Sequence, residues 1–395
     1  MTLLGSGGRW FGTGHSTLAD PGAAGAAAAD AAIAGRDPAA VFVFCSVGYH
    51  VPELFDAIRA RVGAGTAIAG CTTTGQMASG QVSGHGVAIA ALGGPGLSVR
   101  THLSRDVSPR LRDAGTEAAS ALTGMQRPHQ ALLMICDGLT GNQHEIVRGA
   151  FSVVGAVAPL VGGCAGDDLT YVRTYQFHGG RDGVEVLSDA VIGVAIGSDR
   201  PIGVGLAHGW RKQGAAMVVT SGREGKVFEL DGEPALDVYL RRLGLDEAVA
   251  HDGDLFRDRA FLHPLGLSRR SGEDLRVIHG ADPAERSLLS LADVPQGALA
   301  WLMESDHDAI VHGARESAGQ ALDGLGGEPP LGVLTFDCAA RHMMLGAGGV
   351  QEEVDGIAKE LGGVPYAGFY TNGEIARLKG ALGLHHFTVV TLALA

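Results

Sequence analysis

One pattern restricts the possible folds more than any other: a glycine-bounded bend that occurs three times, each after the same run of elements. It reads Gly70-x4-Gly75-Gln76 in GCTTTGQM, Gly162-x3-Gly166-Asp167 in GGCAGDD, and Gly368-x4-Gly373-Glu374 in GFYTNGE. Continuous apolar runs predict a strand at VFVFCS (41–46), ALLMICD (131–137) and GVLTFDC (332–338). A helix follows each: VPELFDAIRARVG, with Leu54, Ile58 and Val62 on one face, then HEIVRGAFSVVG and VQEEVDGIAKELGG. The short strands TAIAG, APLVG and VPYAG then lead into the bends. Another helix opens each unit. The first, DPGAAGAAAADAAIAG, has Asp20 as its cap and Pro21 in its first turn. The second ends in ALTG at 121–124 and the third in ALDG at 321–324, an offset of 200 residues. Recurrence in this order implies an internally repeated architecture.

The fold class expected is α/β: two domains of repeated β-α-β units, with mixed sheets and flanking helices. The strand-rich stretch around 170–230 makes the sheets mixed rather than purely parallel. At 395 residues the chain is long for one core and comfortable for two. A boundary is expected at the turn-like LDGEPA, giving domains of 1–230 and 231–395.

Composition removes several classes of function. The apolar fraction is 46% and charged residues are 18%, which describes a globular chain. A net charge of −13 with no run of Lys or Arg argues against nucleic acid or an anionic membrane as the main partner. The amino terminus lacks a continuous apolar segment of signal-peptide type, and the Ala-rich stretch is too short to span a bilayer. Five cysteines, an odd number without a CxxC pair, suit a reducing compartment. A cytoplasmic protein is expected.

The bends resemble phosphate-binding loops but lack their chemistry. A P-loop places Lys after its second glycine; here that position holds Gln76, Asp167 or Glu374. A partly buried carboxylate would repel phosphate, so nucleotide binding is rejected. A small ligand carrying an ammonium or amide group fits better. Glu374 or Asp167 would accept from it, Thr72, Thr73, Thr74, Tyr370 and Asn372 would add hydrogen bonds, and Arg341 would hold a carboxylate. Cys71 and Gln76 complete the expected ligand-binding set. The alternative makes the bends plain strand-end turns, with Glu374 paired to Arg377 or Arg341.

No nucleophile elbow or Cys/His signature marks a catalytic thiol, so buried structural cysteines are expected, with no catalytic or metal-binding residues. The sixteen histidines are scattered. His50, His208, His342 and His385 lie beside expected strand ends or bends, where a single axial haem ligand would leave no spacing signature.

Taken together, these segments resemble the FIST family (F-box and intracellular signal transduction). Its N domain is matched by VFVFCSVGYHVPELFDAI, IAGCTTTGQM, MICDGLTGNQHEI, LVGGCAGDD and GW-x3-G at Gly209, with VTSGREGKVFELDGEPALDVY as the junction. Its C domain is matched by FDCAARHMMLG, EEVDGIAKELGGVPYAGFYTNGEIA and HHFTVV. The resemblance implies a non-enzymatic sensory protein that binds amino acids or related small molecules. Some members of the family bind haem and sense nitric oxide, usually acting on a histidine kinase or a cyclic-dinucleotide enzyme, so the alternative expectation for this chain is a haem-binding nitric-oxide sensor. Gln76 stands where the family usually has Glu. Neither an F-box nor a kinase or cyclase segment accompanies the two domains in this sequence, so output is expected to pass to a separate protein.

Overall fold

The computed structural model describes residues 8–156, 158–269, 272–377 and 383–395. Its contacts group the chain into two compact units. The first comprises residues 1–208, 311–384 and 388–395; the second comprises 209–310 and 385–387. The boundary expected at 231 falls within the second unit.

The first unit is the threefold repeat. Repeat one runs β1 (Trp10–Ser16), α1 (Pro21–Ile33), β2 (Ala40–Ser46), α2 (Val51–Arg59) and β3 (Ala67–Thr73), then β4 (Gln76–Ala78), β5 (Gln81–Ser83) and β6 (Val87–Gly93). Repeat two has the same order: β7 (Leu97–Arg105), α3 (Leu111–Ala119), β8 (His129–Cys136), α4 (Gln143–Val154), β9 (Leu160–Cys164), β10 (Gln176–Gly180), β11 (Gly183–Leu187) and β12 (Ala190–Ser198). Repeat three opens with β13 (Ile202–Ala207) and is then interrupted by the second unit.

That second unit carries β14 (Arg211–Arg223), β15 (Lys226–Leu230), β16 (Glu233–Pro234), α5 (Ala235–Leu243), α6 (Ala248–His251), α7 (Gly253–Leu262), β17 (Leu265–Arg269), β18 (Gly272–Arg276), β19 (Ile278–Asp282), β20 (Ser287–Ser290) and β21 (Leu299–Glu304). Its strands form one sheet in the order β18-β17-β21-β14-β15-β20-β19, with β16 beside β15. Within it Arg276 and Asp274 form a buried ion pair at 2.8 Å.

Repeat three resumes with α8 (His307–Asp323), β22 (Gly332–Cys338), α9 (Ala339–Leu361), β23 (Tyr366–Thr371), β24 (Glu374–Arg377), β25 (Gly383–His385) and β26 (Val389–Leu394). Helix α9 starts well before the expected VQEEVDGIAKELGG segment. It is two helices joined at Gly346, where φ is +63°, a conformation that favours glycine.

Local sequence explains the elements. Asp20 caps α1 by accepting from Ala23 N at 2.6 Å, with Pro21 in the first turn, as expected. The buried face of α1 is all small residues apart from Ile33. Strands β2, β8 and β22 are buried along nearly all their length, because sheets covered on both faces bury every side chain.

Sheet pairing gives the repeats their arrangement. The sheets run β1-β6-β2-β3-β10-β11, β7-β12-β8-β9-β24-β25 and β13-β26-β22-β23-β4-β5. Each contains a central parallel pair from one repeat and, beyond it, a hairpin from another. The β4–β5 hairpin of repeat one joins the sheet of repeat three, β10–β11 of repeat two joins that of repeat one, and β24–β25 of repeat three joins that of repeat two. The chain makes each transfer at a glycine-bounded bend. Phe42, Phe44, Leu133, Ile135, Leu334, Phe336 and Phe369, drawn from all three sheets, share one core, and helices cover the outer faces. Among the described residues, no helix is long and apolar enough to cross a membrane.

Candidate functional site

The register shows why a glycine opens each bend. Gly70 lies opposite Val43, Gly162 opposite Met134 and Gly368 opposite Thr335, in equivalent parallel pairs. A Cβ at these positions would stand 1.9 Å from Val43 O, 2.0 Å from Met134 O and 1.9 Å from Thr335 O. Backbones pass too closely there for any side chain.

Beyond those glycines the three bends meet. Thr74 N donates to Tyr370 O (3.2 Å), Gly166 N to Thr72 O (2.9 Å) and Asn372 N to Cys164 O (3.1 Å). A second set runs the other way: Tyr370 N to Gly75 O, Cys164 N to Gly373 O and Thr72 N to Tyr175 O, each at 2.9 Å. Every bend therefore both donates to and accepts from its neighbours. This satisfies backbone groups that burial would otherwise leave unpaired.

The second set also corrects the alignment of the repeats. Gly75 and Gly373 correspond to Tyr175, so Gln76 and Glu374 correspond to Gln176, not Asp167. Register agrees: Gln76 pairs with Phe369, Gln176 with Cys71 and Glu374 with Gly163, each one residue past the opening glycine. Bend two carries an eight-residue excursion, 167–174, which the other two lack. The signal lay in the recurrence of Thr74-Gly75-Gln76 as Thr174-Tyr175-Gln176.

The side chains expected to bind ligand divide by their partners. Arg341 is fully buried, with Nε on Asp337 Oδ1 (2.8 Å), one terminal nitrogen on Glu353 Oε1 (2.6 Å) and the other on His208 O (2.5 Å). Tyr370 OH donates to the remaining Glu353 oxygen at 2.8 Å. Burial, then the neighbouring Glu353, pushes the Asp337 carboxyl well above its usual range, against the pull of Arg341. Glu374 is also fully buried and accepts from Thr371 Oγ1 (2.7 Å) and from Thr388 N (3.2 Å) and Oγ1 (3.0 Å). Burial raises its pKa to about 7, although those hydrogen bonds favour the ion. The charges of Arg341 and Glu374 are thus directed at partners within the protein.

In repeat one the matching residue repeats this contact without charge: Gln76 Nε2 donates to Thr73 Oγ1 at 2.6 Å. Thr72 Oγ1 accepts from Tyr175 N (2.9 Å), and Cys71 is buried in β3. Asp167 closes the excursion. Its carboxylate accepts from Thr170 Oγ1 and from the backbone N–H groups of Tyr171, Val172 and Arg173 at 2.7–3.0 Å. Where the bends meet, Thr74 Oγ1 and both amide atoms of Asn372 are buried with no hydrogen-bond partner.

The excursion walls an open cleft of about 260 Å³ at the carboxyl end of β8. Asp137, Leu139, Thr140, Arg173 and Asp189 are among its lining residues. Asp137, 4% exposed, organises it. One carboxylate oxygen accepts from Leu139 N (2.8 Å) and Thr174 Oγ1 (2.8 Å), and the other from Asp189 N (2.7 Å). Of the cleft residues, none belongs to the ligand-binding set read from sequence. A second cleft of about 220 Å³, lined by Leu122, Thr123, Gln130, Val153, Val154 and Ala158, is mainly apolar.

No cysteine or histidine is among the lining residues of either cleft. All five cysteines are buried and free of disulfides, and burial raises the Cys45 and Cys71 thiols, which disfavours the nucleophilic thiolate. His50 is exposed near Glu53, His342 packs edge-on against Tyr370, His385 lies 3.6 Å from Asp274, and the carbonyl of His208 serves Arg341. Neither cleft has a histidine in its lining, so neither offers haem iron an axial imidazole.

Comparison with known proteins places these features in context. The family model for the FIST N domain matches residues 39–233, and that for the FIST C domain matches residues 235–377. An uncharacterised protein of Mycobacterium tuberculosis (strain ATCC 25618 / H37Rv) is 29% identical over 208 residues, 52% of this chain and 53% of that protein. An uncharacterised protein of Methanocaldococcus jannaschii is 26% identical over 194 residues, 47% of this chain and 36% of that one. The chain spans about half the length, or less, of these relatives. Among solved structures, cyanuric acid hydrolase from A. caulinodans overlaps 97% of this chain and 98% of its own, at 11% identity and a TM-score of 0.34. That likeness is too loose to carry fold or function across.

Proposed function

The chain belongs to the FIST family, whose domains are associated with signal transduction through sensing of small ligands, and from that premise we propose a non-enzymatic sensor of amino acids or related small molecules. It signals to a separate protein, such as a histidine kinase or a cyclic-dinucleotide enzyme. The ligand site we assign is the cleft beside bend two. One observation carries this assignment: three bends share their backbone hydrogen bonds, yet only the second is extended, and its extension walls a polar cleft. At bend three the charges of Arg341 and Glu374 are engaged inside the protein, and at bend one the uncharged Gln76 is bound to Thr73.

The test is a thermal-shift screen over amino acids and other small metabolites. It uses the wild type and a variant in which residues 167–174 are deleted, so that Gly166 is joined to Tyr175 as Thr74 is joined to Gly75. A ligand at a hundredfold excess over its Kd stabilises the folded protein by about 2.7 kcal/mol. The wild type is expected to gain melting temperature and the shortened variant, still folded, to gain none. Absence of a shift with any compound would count against the sensor. An undiminished shift in the shortened variant would move the site elsewhere.

A further inference from the structure

We propose that residues 168–173 of the excursion form a lid over the junction of the three bends. Beneath it the Thr74 hydroxyl and the Asn372 carboxamide make a second site, for a small uncharged molecule of the carboxamide class. The site is separate from the cleft and does not depend on the sensor reading. Thr74, Gly166 and Asn372 occupy the same place in the three repeats, four residues past the opening glycine, and each donates its backbone N–H to a neighbouring bend. Among the described residues, Thr74 Oγ1, Asn372 Oδ1 and Asn372 Nδ2 are all buried without a hydrogen-bond partner. Native folds leave few such atoms, because each one is costly. A Cβ on Gly166 would stand 2.6 Å from Thr74 Oγ1 and 3.3 Å from Asn372 Oδ1, so both oxygens face the same glycine. Asn372 Nδ2 lies 3.1 Å from the Cβ position of a second glycine, Gly138.

These atoms define the ligand's chemistry. A carboxamide presents an acceptor oxygen beside a donor NH₂, and a hydroxyl both donates and accepts. Another primary amide complements that set, with its own oxygen on Asn372 Nδ2 and its own N–H on an oxygen. A charged ligand would find no counter-ion here. Arg341, Asp337, Glu353 and Glu374, the buried ionisable groups of bend three, already engage one another or a neighbouring hydroxyl, and an unpaired buried charge is strongly disfavoured.

The three atoms are shut off from solvent, so a ligand reaches them only when a cover lifts. The excursion meets Ser46, Asp137 and Cys338, which register makes equivalent in the three repeats. Thr174 Oγ1 donates to Asp137 at 2.8 Å. The Ser46 hydroxyl offsets part of the rise that partial burial and Asp167 impose on the Asp168 carboxyl. The Cys338 thiol adds to the rise that partial burial gives the Tyr171 phenol. Asp167 and Thr174 are buried at the two ends, and no residue between them is. What holds the middle is polar: the Asp167 carboxylate accepts from the N–H groups of Tyr171, Val172 and Arg173. Asp168, Leu169 and Tyr171 have φ of +55°, +63° and +54°, a region that residues other than glycine seldom adopt. Strained backbone with little buried apolar surface marks a segment that opens readily.

Ligand-observed NMR titration of the full chain tests the site. The probe is acetamide, with acetone as an acceptor of the same shape without a donor and acetate as the charged counterpart. The proteins are the wild type, Thr74→Val and Asn372→Leu. Acetamide should bind the wild type at least tenfold more tightly than acetone or acetate, and either substitution should weaken it tenfold or more. Without ligand, Thr74→Val should melt no lower than the wild type, because the hydroxyl it removes has no partner. Hydrogen exchange reads the lid. Acetamide should slow exchange at Tyr171, Val172 and Arg173 in the wild type and not in Thr74→Val, and Asp167→Asn should speed it. Failure of acetamide to bind, equal binding in all three proteins, or binding that leaves exchange in the lid unchanged would overturn the proposal. A lower melting temperature for Thr74→Val would overturn it too, by showing that the hydroxyl is held by an ordered water only. None of these outcomes bears on the cleft, which the screen with the shortened variant tests.

Discussion

Bends two and three share a backbone arrangement and differ in where they place polar groups. Bend three has Arg341, Asp337, Glu353, Tyr370 and Glu374 wholly buried around it, each engaged by a neighbour. Bend two has an excursion with Tyr171 62% and Val172 78% exposed, and a cleft on its flank. Residue type follows the same division. Where repeat three has Asp337, register places Cys136 in repeat two and Cys45 in repeat one. Shared backbone hydrogen bonds thus leave the side chains at equivalent positions open to different roles: bend three contributes an internal charge network, and bend two borders a surface cleft.

Removing the cation at bend three should produce the largest effect. Arg341→Ala leaves Asp337 and Glu353 buried without their counter-charge, at an expected cost of ~3–5 kcal/mol in chemical denaturation. Loss of ligand binding without loss of stability would instead make Arg341 a ligand contact and erase the contrast.

Glu374 sharpens the contrast through pH. Its folded pKa of about 7 lies above the ordinary 4.5, so between these values the folded protein holds a proton that the unfolded chain has released. Its stabilising contribution is complete below pH 4.5 and lost as the pH rises to 7, about 3–4 kcal/mol in all at about 1.4 kcal/mol per unit. Glu374→Gln, which installs the residue found at Gln76 and Gln176, should remove that component of the slope. Denaturation of both proteins at pH 5 and pH 8 measures the difference, and parallel profiles would refute it.

The shared part of the bends predicts a common response. Gly70→Ala, Gly162→Ala and Gly368→Ala should each destabilise by at least ~1–3 kcal/mol, because each Cβ meets a backbone oxygen. One tolerant position among the three would break the equivalence. The smallest effect belongs to the excursion: Tyr171→Ser should change the unfolding free energy by no more than ~0.5 kcal/mol, since the side chain is largely exposed.

Local order was legible in the sequence and long-range pairing was not. GVLTFDC, the Asp20–Pro21 helix start and the recurrence of the bends follow from hydrophobic runs, capping chemistry and glycine spacing, and all reappear in the structure. Nothing local to Gln76 says that its strand will pair with Phe369 rather than with its own repeat. The site suffered in the same way. Arg341 and Glu374 have the chemistry of a zwitterion receptor, and only their neighbours, Asp337, Glu353 and Thr388, reveal that they are engaged. Asp137 and Asp189, 52 positions apart, carried no motif at all.

The one-way exchange of hairpins bears on how the protein is made. Ser79 hydrogen-bonds to Tyr366, 287 positions along the chain, so the sheet that receives β4–β5 cannot be completed until nearly the whole polypeptide has left the ribosome. Until then that hairpin and the edge awaiting it are both uncovered. Assembly should therefore be slow for a chain so rich in short-range helices, and its nascent forms should depend on protection from sticking to one another.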